Sequence, residues 1–469
     1  MLFSLTLLVP LVYAHVSHDG AEAAYDLAFV ATLGSGALLW FLARKSQREL
    51  HLRDGFLLVA LAWSVLPVYA GLPFLAQLHM SFTDAYFEAV SGLTTTGSTI
   101  ISHLDRLPRS INLWRCLIIW LGGMGLIVLA VAILPMLGIG GRQMFKAETP
   151  GPIKDTKLTP RITGTAKGLW LVYAGFTLLC ALAYYAAGME GFDAICHAFS
   201  TVALGGFSTH DASFAYWNSP LIEGIAIFFM VASGMNYATH YIALAGRAPR
   251  AYLRDPEIIW FLGVLVVSVL LITFYLWDFR LYDNASETLR HVAFNLVSVA
   301  TSAGFVSVDY SLWPFFAPLV MLFLCSFVCC SGSTGGGIKM MRAVLLYKQV
   351  YRELLRSMHP KAVYPVKLGG HTVRQDTLFA VLAFSFIYMV TLVTLVLVLS
   401  FSGLDIITAF SAVVASLNNT GPGLGMVGPS GTYAVLSPFQ TWVCSFAMLL
   451  GRLEIFTLLV VLTPAFWRK

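Results

Sequence analysis

Four stretches of the chain share one pattern: a short apolar run ends in a glycine and lies between two long hydrophobic segments. Aligned without gaps, the stretches carry a small residue at their eighth position: Ser91, Ser200, Ser298 and Ala415. About ten helical residues rise about 15 Å, which is half the depth of the hydrocarbon layer. The pattern therefore predicts four short helices that enter a membrane and return without crossing it. The stretches are residues 84–97, 193–206, 291–304 and 408–421.

The composition supports a membrane protein. Hydrophobic residues make up 58% of the 469 residues, charged residues only 11%, and the mean hydropathy is +0.77. A soluble domain carries about 25% charged residues, so we expect a polytopic membrane protein without a soluble domain. The seven cysteines fall in apolar runs without paired spacing, which favours buried apolar residues over disulfides or metal ligands.

Ten segments are candidates for crossing the membrane, and the basic residues predict their orientation. Of 29 Lys and Arg residues, 22 lie in alternate connections, so this side is expected to be cytoplasmic, with both termini inside and the short helices entering from outside. The first segment is expected to be an uncleaved helix, with a signal peptide as the alternative. The candidates are 1–15, 25–43, 55–75, 112–137, 168–188, 220–246, 257–277, 313–355 (interrupted), 376–400 and 439–466.

The order of these segments predicts an all-α fold with internal repeats. A pair of N-terminal helices precedes four units of helix, re-entrant helix, loop and helix, arranged around a central pore. The expected divisions are 1–50 for the helix pair and 51–140, 141–250, 251–360 and 361–469 for the four repeats.

The residues that end the four stretches predict a selectivity filter for an alkali cation. Backbone carbonyls can replace the water of such an ion, and glycine permits the backbone angles that aim them inward. The carboxyl end of each short helix would also favour a cation, while Asp84 and Asp193 are placed to cap helix starts. The alternative is that these small residues only pack helices together. The predicted ion-binding residues are Thr94, Thr95, Thr96 and Gly97; Ala203, Leu204, Gly205 and Gly206; Thr301, Ser302, Ala303 and Gly304; and Asn418, Asn419, Thr420 and Gly421.

A glycine-rich run, SGSTGGGIK at 331–339, interrupts the long apolar segment 313–355. Each glycine costs about 1 kcal/mol in a helix interior, so a straight helix is not expected here. The run lacks the lysine position and preceding strand of a nucleotide-binding loop. We interpret it as a gate below the filter, formed by Gly335, Gly336, Gly337 and Lys339; a simple hinge is the alternative.

Two further charged positions lie at membrane depth, where a charge needs a partner or water. We expect Arg452 to face the pore near the glycine-rich run and to influence gating. Glu454 is two residues away and should not share its helix face. The alternative is that both reach the cytoplasmic interface. Glu88, on the first short helix, is expected to be a hydrogen-bonded structural carboxylate rather than an ion ligand.

Other function classes find less support in the sequence. No catalytic serine–histidine–aspartate array, carboxylate pair or metal-ligand cluster is evident, so we do not expect an enzyme acting on lipid or glycan. The scattered histidines are interpreted as structural. A transporter that couples K⁺ to H⁺ or Na⁺ would want a titratable group at the binding site, and the filter stretches contain none. A non-conducting sensor is the remaining alternative.

These stretches together resemble the membrane subunits of bacterial Trk potassium uptake systems, of the TrkH/TrkG type in the Trk/Ktr/HKT superfamily. The resemblance covers nearly the whole chain and is weakest over the first 24 residues, where the leading helix is shorter. It is carried by DAYFEAVSGLTTTGST, WLGGMGLIVLAVAILPMLGIGG, AETPGPIKDTKLTPRI, HAFSTVALGGFSTHDAS, SGSTGGGIKMMR, SLNNTGPGLG and GRLEIFTLLVVLTPAFWRK.

The resemblance implies properties that spacing alone does not. It implies a homodimer in the bacterial inner membrane, surrounded by lipid, with one pore per subunit. It also implies a cytosolic TrkA-like ring that binds NAD(H) and ATP or ADP, no organic cofactor in this chain, and no nucleic acid partner. The gating loop and the nearby arginine would be 332–339 and Arg452. Sodium-preferring relatives carry serine at the first filter glycine, so Gly97 implies preference for K⁺.

Overall fold

The computed structural model describes residues 1–45, 52–133, 162–246 and 248–468. These residues are mainly helical with almost no strand, which confirms the all-α fold class. The described strands form a single antiparallel hairpin, β1 (Lys367–Leu368) with β2 (His371–Thr372). The predicted boundary at 140/141 and most of the basic connection 142–167 lie outside the described residues.

Two N-terminal helices come first, α1 (Ser4–Ser17) and α2 (Glu22–Ala43). Four successive units follow, each with an entering helix, a short helix, a connection and a leaving helix. The first has α3 (Leu52–Ala70), α4 (Leu72–Leu78), α5 (Phe82–Leu93) and α6 (Arg109–Ile133); the second α7 (Ile162–Ala186), α8 (Gly191–Ala203), α9 (Pro220–Gly234) and α10 (Tyr237–Ala245); the third α11 (Arg250–Arg254), α12 (Pro256–Asp278), α13 (Ala285–Ala300), α14 (Phe316–Cys325) and α15 (Met340–Met358); the fourth α16 (Gln375–Phe401), α17 (Ile406–Leu417), α18 (Pro438–Arg452), α19 (Phe456–Leu462) and α20 (Pro464–Trp467).

Two predicted crossings are broken in the structure. Helices α9 and α10 meet at 96°, and α18 and α19 meet at 115°, so 220–246 and 439–466 are not continuous spans. At the second break, Glu454 and Ile455 adopt positive φ, which ends the helix. Among the described residues, five helices are long and apolar enough to cross a bilayer, or seven if each bent pair counts as one. The predicted total of ten crossings stays a prediction.

The four short helices are α5, α8, α13 and α17, and their starts differ from the predicted caps. Ser81 and Asp405 are the N-caps of α5 and α17, and each side chain accepts from the backbone three residues on. Asp84 and Asp193 instead occupy the third helical position, so their prediction as caps is wrong. Asp84 accepts from the Ser81 hydroxyl at 2.8 Å, and Asp193 accepts from Thr209 at 2.7 Å.

Buried apolar side chains form two large clusters. One joins units 2 and 3, and the other joins the N-terminal helices with units 1 and 4. Outward faces are also apolar, as at Leu171, Phe274 and Phe386, each at least 66% exposed. Continuous apolar exteriors of this kind are expected where lipid replaces water as the solvent.

Candidate ion-conduction site

Each short helix is followed by one of the four predicted filter segments, which we number 1 to 4 in chain order. All four have the same backbone conformation. The second residue is left-handed, with φ of 57° at Thr95, 54° at Leu204, 59° at Ser302 and 52° at Asn419. The closing glycine also has positive φ: 80° at Gly97, 75° at Gly206, 76° at Gly304 and 97° at Gly421. A left-handed residue other than glycine costs about 1–2 kcal/mol, so its fourfold repetition marks a specific requirement of the site.

The left-handed residue belongs to the same helix-ending hydrogen-bond motif in every segment. The third residue donates its N–H to the carbonyl of the small eighth-position residue of the stretch, five residues earlier. The four N–O distances are 2.8 Å for Thr96 to Ser91, 3.0 Å for Gly205 to Ser200, 2.8 Å for Ala303 to Ser298 and 2.9 Å for Thr420 to Ala415. The alignment of the four stretches therefore corresponds to equivalent backbone positions.

The four segments meet in a closed ring. A Cβ atom added to Gly97 would overlap the carbonyl oxygen of Gly205, and one added to Gly206 would overlap that of Ala303. In the same way, Gly304 faces the carbonyl of Thr420, and an added Cβ on Gly421 would lie 2.9 Å from the Thr96 oxygen. Each glycine thus touches the third residue of the next segment, and segment 4 returns to segment 1.

The third-position carbonyl oxygens of this ring are the groups best suited to a cation. Thr96, Gly205, Ala303 and Thr420 are buried, and within the described chain no recorded hydrogen bond reaches their carbonyl oxygens. Buried backbone carbonyls are usually paired, because an unpaired one loses its water without replacement. A dehydrated alkali cation would satisfy such oxygens. The residues present therefore fit a monovalent cation.

The glycine-rich run 331–339, called here the glycine loop, lies directly against this ring. The Gly336 N–H donates to the Ser302 hydroxyl at 2.8 Å, and the Thr334 hydroxyl donates to the Val202 carbonyl at 3.1 Å. A Cβ added to Gly336 would overlap the carbonyl oxygen of Asn418. The loop therefore contacts segments 3 and 4 and the residue before segment 2, on the side of the ring that holds the left-handed side chains.

A buried cation lies within the glycine loop. Lys339 is 5% exposed, and its ammonium group donates to the Gly335 carbonyl. Among the described residues, no carboxylate lies within salt-bridge distance of it. Gly335, which accepts this hydrogen bond, packs against the carbonyl of Thr301 in segment 3. A cation leaving the ring on this side would meet both the loop backbone and a positive charge, which raises its energy in a low-dielectric setting.

Arg452 connects the loop to segment 1. Its guanidinium donates to the Thr334 carbonyl at 3.1 Å, to the Thr95 hydroxyl at 3.2 Å and to the carbonyls of Gly122 and Gly123 at 2.6 and 3.1 Å. Glu454 does not face it and instead pairs with Arg342 at 2.7 Å. With this contact, segments 1, 3 and 4 are tied to the loop, directly or through Arg452, and the loop reaches Val202 next to segment 2.

Behind the ring, polar side chains of the short helices hold the chain that follows each segment. Glu88 and Arg115 are both fully buried and form an ion pair at 2.9 Å; Glu88 also accepts from the Ile100 N–H at 3.0 Å. This arrangement is the structural role expected for Glu88. Arg115, which donates to the Ser208 carbonyl at 3.1 Å, was not predicted.

Two further contacts of this kind hold the chain after segments 2 and 3; the sequence analysis predicted a structural role for His197 but not its partner, and it did not predict Asn295. His197 contacts the Ser208 hydroxyl at 3.0 Å, and Asn295 donates to the Ser307 hydroxyl at 2.9 Å. Glu88, His197 and Asn295 share the fifth position of the aligned stretches, and that shared polar position was the signal that could have identified them.

Other groups in the described residues offer no competing site. All seven cysteines are buried and unpaired. No cluster of three or more His, Cys, Asp or Glu side chains suited to a metal ion is found within the described ranges.

Comparison with known proteins places this geometry in a family. Residues 23–469 match the family described as TrkH, cation transport protein. The chain belongs to the TrkH family. The Trk system potassium uptake protein TrkH of Salmonella typhimurium is 47% identical, with 100% of this chain and 97% of that protein covered. TrkG of Escherichia coli K12 is 38% identical, covering 100% and 96%. The crystal structure of the potassium transporter TrkH from Vibrio parahaemolyticus superposes with a TM-score of 0.90 at 44% identity, covering 100% of this chain and 97% of that one.

Proposed function

We propose that this TrkH-family chain takes up potassium through the ring of segments 1 to 4. The support is the closed ring of buried third-position carbonyls, each without a hydrogen-bond donor among the described residues. The relatives TrkH and TrkG are named as potassium uptake proteins, and this chain matches them over 97% and 96% of their lengths. The ion loses its water at backbone oxygens that four identical hydrogen-bond motifs hold in place.

The filter glycines are proposed to set selectivity for K⁺ over Na⁺. Each glycine lies against a carbonyl of the neighbouring segment, so a side chain at any of them displaces a ligand oxygen. A smaller ion needs a shorter oxygen distance, which the rigid helix-ending motifs resist. The predicted preference at Gly97 follows from the same contact with Gly205.

The glycine loop is proposed to be the gate. In the described arrangement it contacts the ring from one side and carries the buried Lys339 ammonium. Arg452 holds it to segment 1 through Thr95 and Thr334. Conduction then requires the loop to move aside, while the ring itself keeps its shape.

The surroundings of the pore are proposed on the basis of charge distribution and resemblance. The side with the basic connections is cytoplasmic, both termini lie there, and the membrane is the bacterial inner membrane. Exposed and half-buried basic residues of α15 and the following hairpin form a docking surface for a nucleotide-binding ring of the TrkA type. A homodimer with one pore per subunit is the proposed assembly. The basic residues of the proposed docking surface are Lys348, Arg352, Arg356 and Lys367.

Flux into liposomes tests the proposal. Purified protein is placed in K⁺-loaded liposomes, and Rb⁺ uptake is measured with the Na⁺ and H⁺ gradients clamped to zero. We expect uptake that external K⁺ blocks and Na⁺ does not. Uptake that appears only with an imposed H⁺ or Na⁺ gradient would instead establish coupled transport.

A pair of glycine substitutions tests the ring itself. Gly304→Ala places a Cβ over the Thr420 carbonyl and should reduce Rb⁺ uptake at least tenfold, a loss of about 1.4 kcal/mol at the ligand positions. Gly263→Ala is the matched control, because an added Cβ there meets nothing within 4 Å. The control should keep wild-type flux, and a Gly304→Ala protein of equal thermal stability with unchanged flux would contradict the role of the ring.

A further inference from the structure

One carboxylate oxygen joins the two ends of the glycine loop. Glu257 Oε1 accepts from the Ser331 N–H at 2.7 Å and from the Met341 N–H at 2.9 Å. Ser331 begins the loop, and Met341 lies in the first turn of α15 just after it. Glu257 is only 2% exposed. A buried carboxyl oxygen that accepts two N–H bonds satisfies backbone donors that would otherwise lack a partner.

Glu257 is itself held at a junction of three helices. It lies in the first turn of α12, next to the N-cap Asp255, whose Oδ1 accepts from the Glu257 N–H at 3.0 Å. The other oxygen of Asp255 accepts from the Thr239 hydroxyl of α10 at 2.7 Å. The short helix α11 joins α10 to this point. The carboxylate position therefore depends on how α10, α11 and α12 are placed.

The bend between α9 and α10 holds the same end of the loop. The Cys330 N–H donates to the Gly234 carbonyl at 3.0 Å, and the Tyr237 N–H donates to the Gly332 carbonyl at 3.1 Å. A Cβ on Gly332 would lie 2.7 Å from the Asn236 side-chain oxygen, so the approach is close. The break in unit 2 thus pairs with the start of the loop in unit 3.

We propose that Glu257 is the positioning residue of the glycine loop: its carboxylate fixes both loop ends against the ring, and a shift of the α10–α12 junction releases them together. The inference rests on the proposed gating function and deepens it by naming the site through which the gate is controlled. Helices α10 and α11 lie on the side of the basic connections, where a cytosolic partner docks in the proposed orientation. Moving this junction changes two hydrogen bonds at once, without any contact to the ring.

Three substitutions separate hydrogen-bond reach from charge. Glu257→Gln keeps an oxygen at the same reach without charge, whereas Glu257→Asp keeps the charge but is one methylene shorter. Glu257→Ala removes both. If the carboxyl group acts by holding the two loop N–H groups, release of the loop ends should increase from the wild type to Glu257→Gln. It should increase further in Glu257→Asp and Glu257→Ala. A role based only on the charge would reverse the order of Gln and Asp.

Native cysteines report the release directly. Cys329 and Cys330 are fully buried beside the loop start, and Cys116, Cys180, Cys196 and Cys444 are buried elsewhere. Purified protein is treated with N-ethylmaleimide, and peptide mass spectrometry gives the rate at each cysteine. We expect Cys329 and Cys330 to react about tenfold faster in Glu257→Asp, the factor that the loss of one hydrogen bond of about 1.4 kcal/mol supplies. The four distant cysteines named above should keep their wild-type rates, and Cys325, whose carbonyl lies beside Gly337, is left out of the comparison.

The controls distinguish loop release from general destabilisation. Glu223 is also 2% exposed and pairs with Arg290 at 2.7 Å away from the loop, so Glu223→Asp should leave Cys329 and Cys330 unchanged. Equal acceleration at all cysteines, or Glu257→Asp behaving as wild type, would overturn the proposal. The labelling does not depend on transport, so selective labelling without higher Rb⁺ flux would keep the positioning role and contradict the gating function instead.

Discussion

At the scale of single residues, the left-handed second position of each filter segment separates two tasks. Its backbone belongs to the ring in every segment, whereas its side chain makes hydrogen bonds to other segments or elements in segments 1, 3 and 4. Thr95 accepts from Arg452, Ser302 accepts from Gly336, and Asn419 donates to the Thr96 hydroxyl at 2.9 Å and the Met448 carbonyl at 3.1 Å. In segments 1 and 3 this position therefore links the ring to the glycine loop, directly at Ser302 and through Arg452 at Thr95.

Ser302→Ala tests this link. The substitution removes the acceptor of the Gly336 N–H, and a hydrogen bond of this kind is worth about 0.5–1.5 kcal/mol, so basal Rb⁺ flux should rise about two- to tenfold. Ser200→Ala is the control, because its buried hydroxyl has no partner among the described residues. Flux is measured in liposomes without any partner protein. Equal flux from both variants would show that the Ser302 contact does not restrain the loop.

The sequence predicted the segments at this scale but not their left-handed second residue. The closing glycines identify Gly97, Gly206, Gly304 and Gly421 because glycine is the usual residue at positive φ. The second position carries Thr, Leu, Ser and Asn, and most of these residue types do not signal a left-handed conformation. The helix-ending hydrogen bonds that enforce it form only after the short helix has folded.

At the scale of elements, a histidine ties together the connections that leave segments 1 and 2. His210 contacts Asp105 through Nδ1 and Asp193 through Nε2, the latter at 3.2 Å, and its ring stacks on Tyr216. Burial alone lowers the pKa of His210, but the hydrogen bonds to Asp193 and Asp105 outweigh it and raise the pKa above 6.5. With both nitrogens bonded to carboxylates, the imidazolium is the favoured form.

This raised pKa predicts a pH dependence. A group whose folded-state pKa is raised stabilises the fold below its unfolded value, near 6.5, and loses that contribution as pH rises through the folded value. The thermal midpoint of the wild type should therefore fall with rising pH above about 6.5 more than that of His210→Gln. Thermal unfolding in one detergent, from pH 5.5 to 9, measures the difference. Parallel curves for the two proteins would contradict the role of the imidazolium.

Sequence reasoning located the four short helices and missed the bends. The short helices stand out because polar residues and glycines bound them on both sides. The breaks at 234–236 and 453–455 contain no proline and lie within segments of high overall hydropathy, so the polar residues Asn236 and Glu454 were not interpreted as breaks. Tertiary contacts stabilise these bends. Cys330 and Gly332 form backbone hydrogen bonds with Gly234 and Tyr237 at the first bend, and Arg342 pairs with Glu454 at the second.

At the scale of the whole molecule, two apolar clusters meet around the ring. Units 2 and 3 form one, while units 1 and 4 form the other with the N-terminal helices. Arg115 crosses between them, since it pairs with Glu88 in unit 1 and donates to the Ser208 carbonyl in unit 2. The Arg115 guanidinium also lies over the Phe207 ring, 4.3 Å from the ring centroid, and this cation–π contact adds to the connection.

Breaking this buried pair should be costly. Glu88→Gln leaves the Arg115 charge buried without a counter-ion, so we expect a loss of about 3–5 kcal/mol in unfolding free energy. Glu190→Gln is the control: Glu190 pairs with Arg109 at 2.6 Å, but both side chains are 55% exposed, and such pairs contribute less than about 1 kcal/mol. Unfolding midpoints in one detergent compare the two. A similar small shift for both variants would rule out the structural importance of the Glu88–Arg115 pair.

The order of units around the ring was predictable from the order of repeats along the chain, and resemblance to a known family supported it. The packing of the four units into two clusters was not, because every unit has a similar hydropathy profile. The contacts of Arg115 and Glu257 also depend on distant segments: the partners of Arg115 lie 27 and 93 residues away in the chain. The spacing of residues in the sequence does not predict pairs so far apart in the chain.

The glycine loop comes from one unit, whereas the ring is built from all four. An ion on the proposed path would therefore pass through a nearly fourfold environment, whereas the proposed gate has no such symmetry. Movement of the glycine loop alone would open the proposed path without concerted motion of four helices. The strained backbone of the ring would then keep its conformation during each opening. A partner acting on the glycine loop would have to recognise one direction around the axis of the proposed pore, so its alignment with the chain would be part of the control of transport.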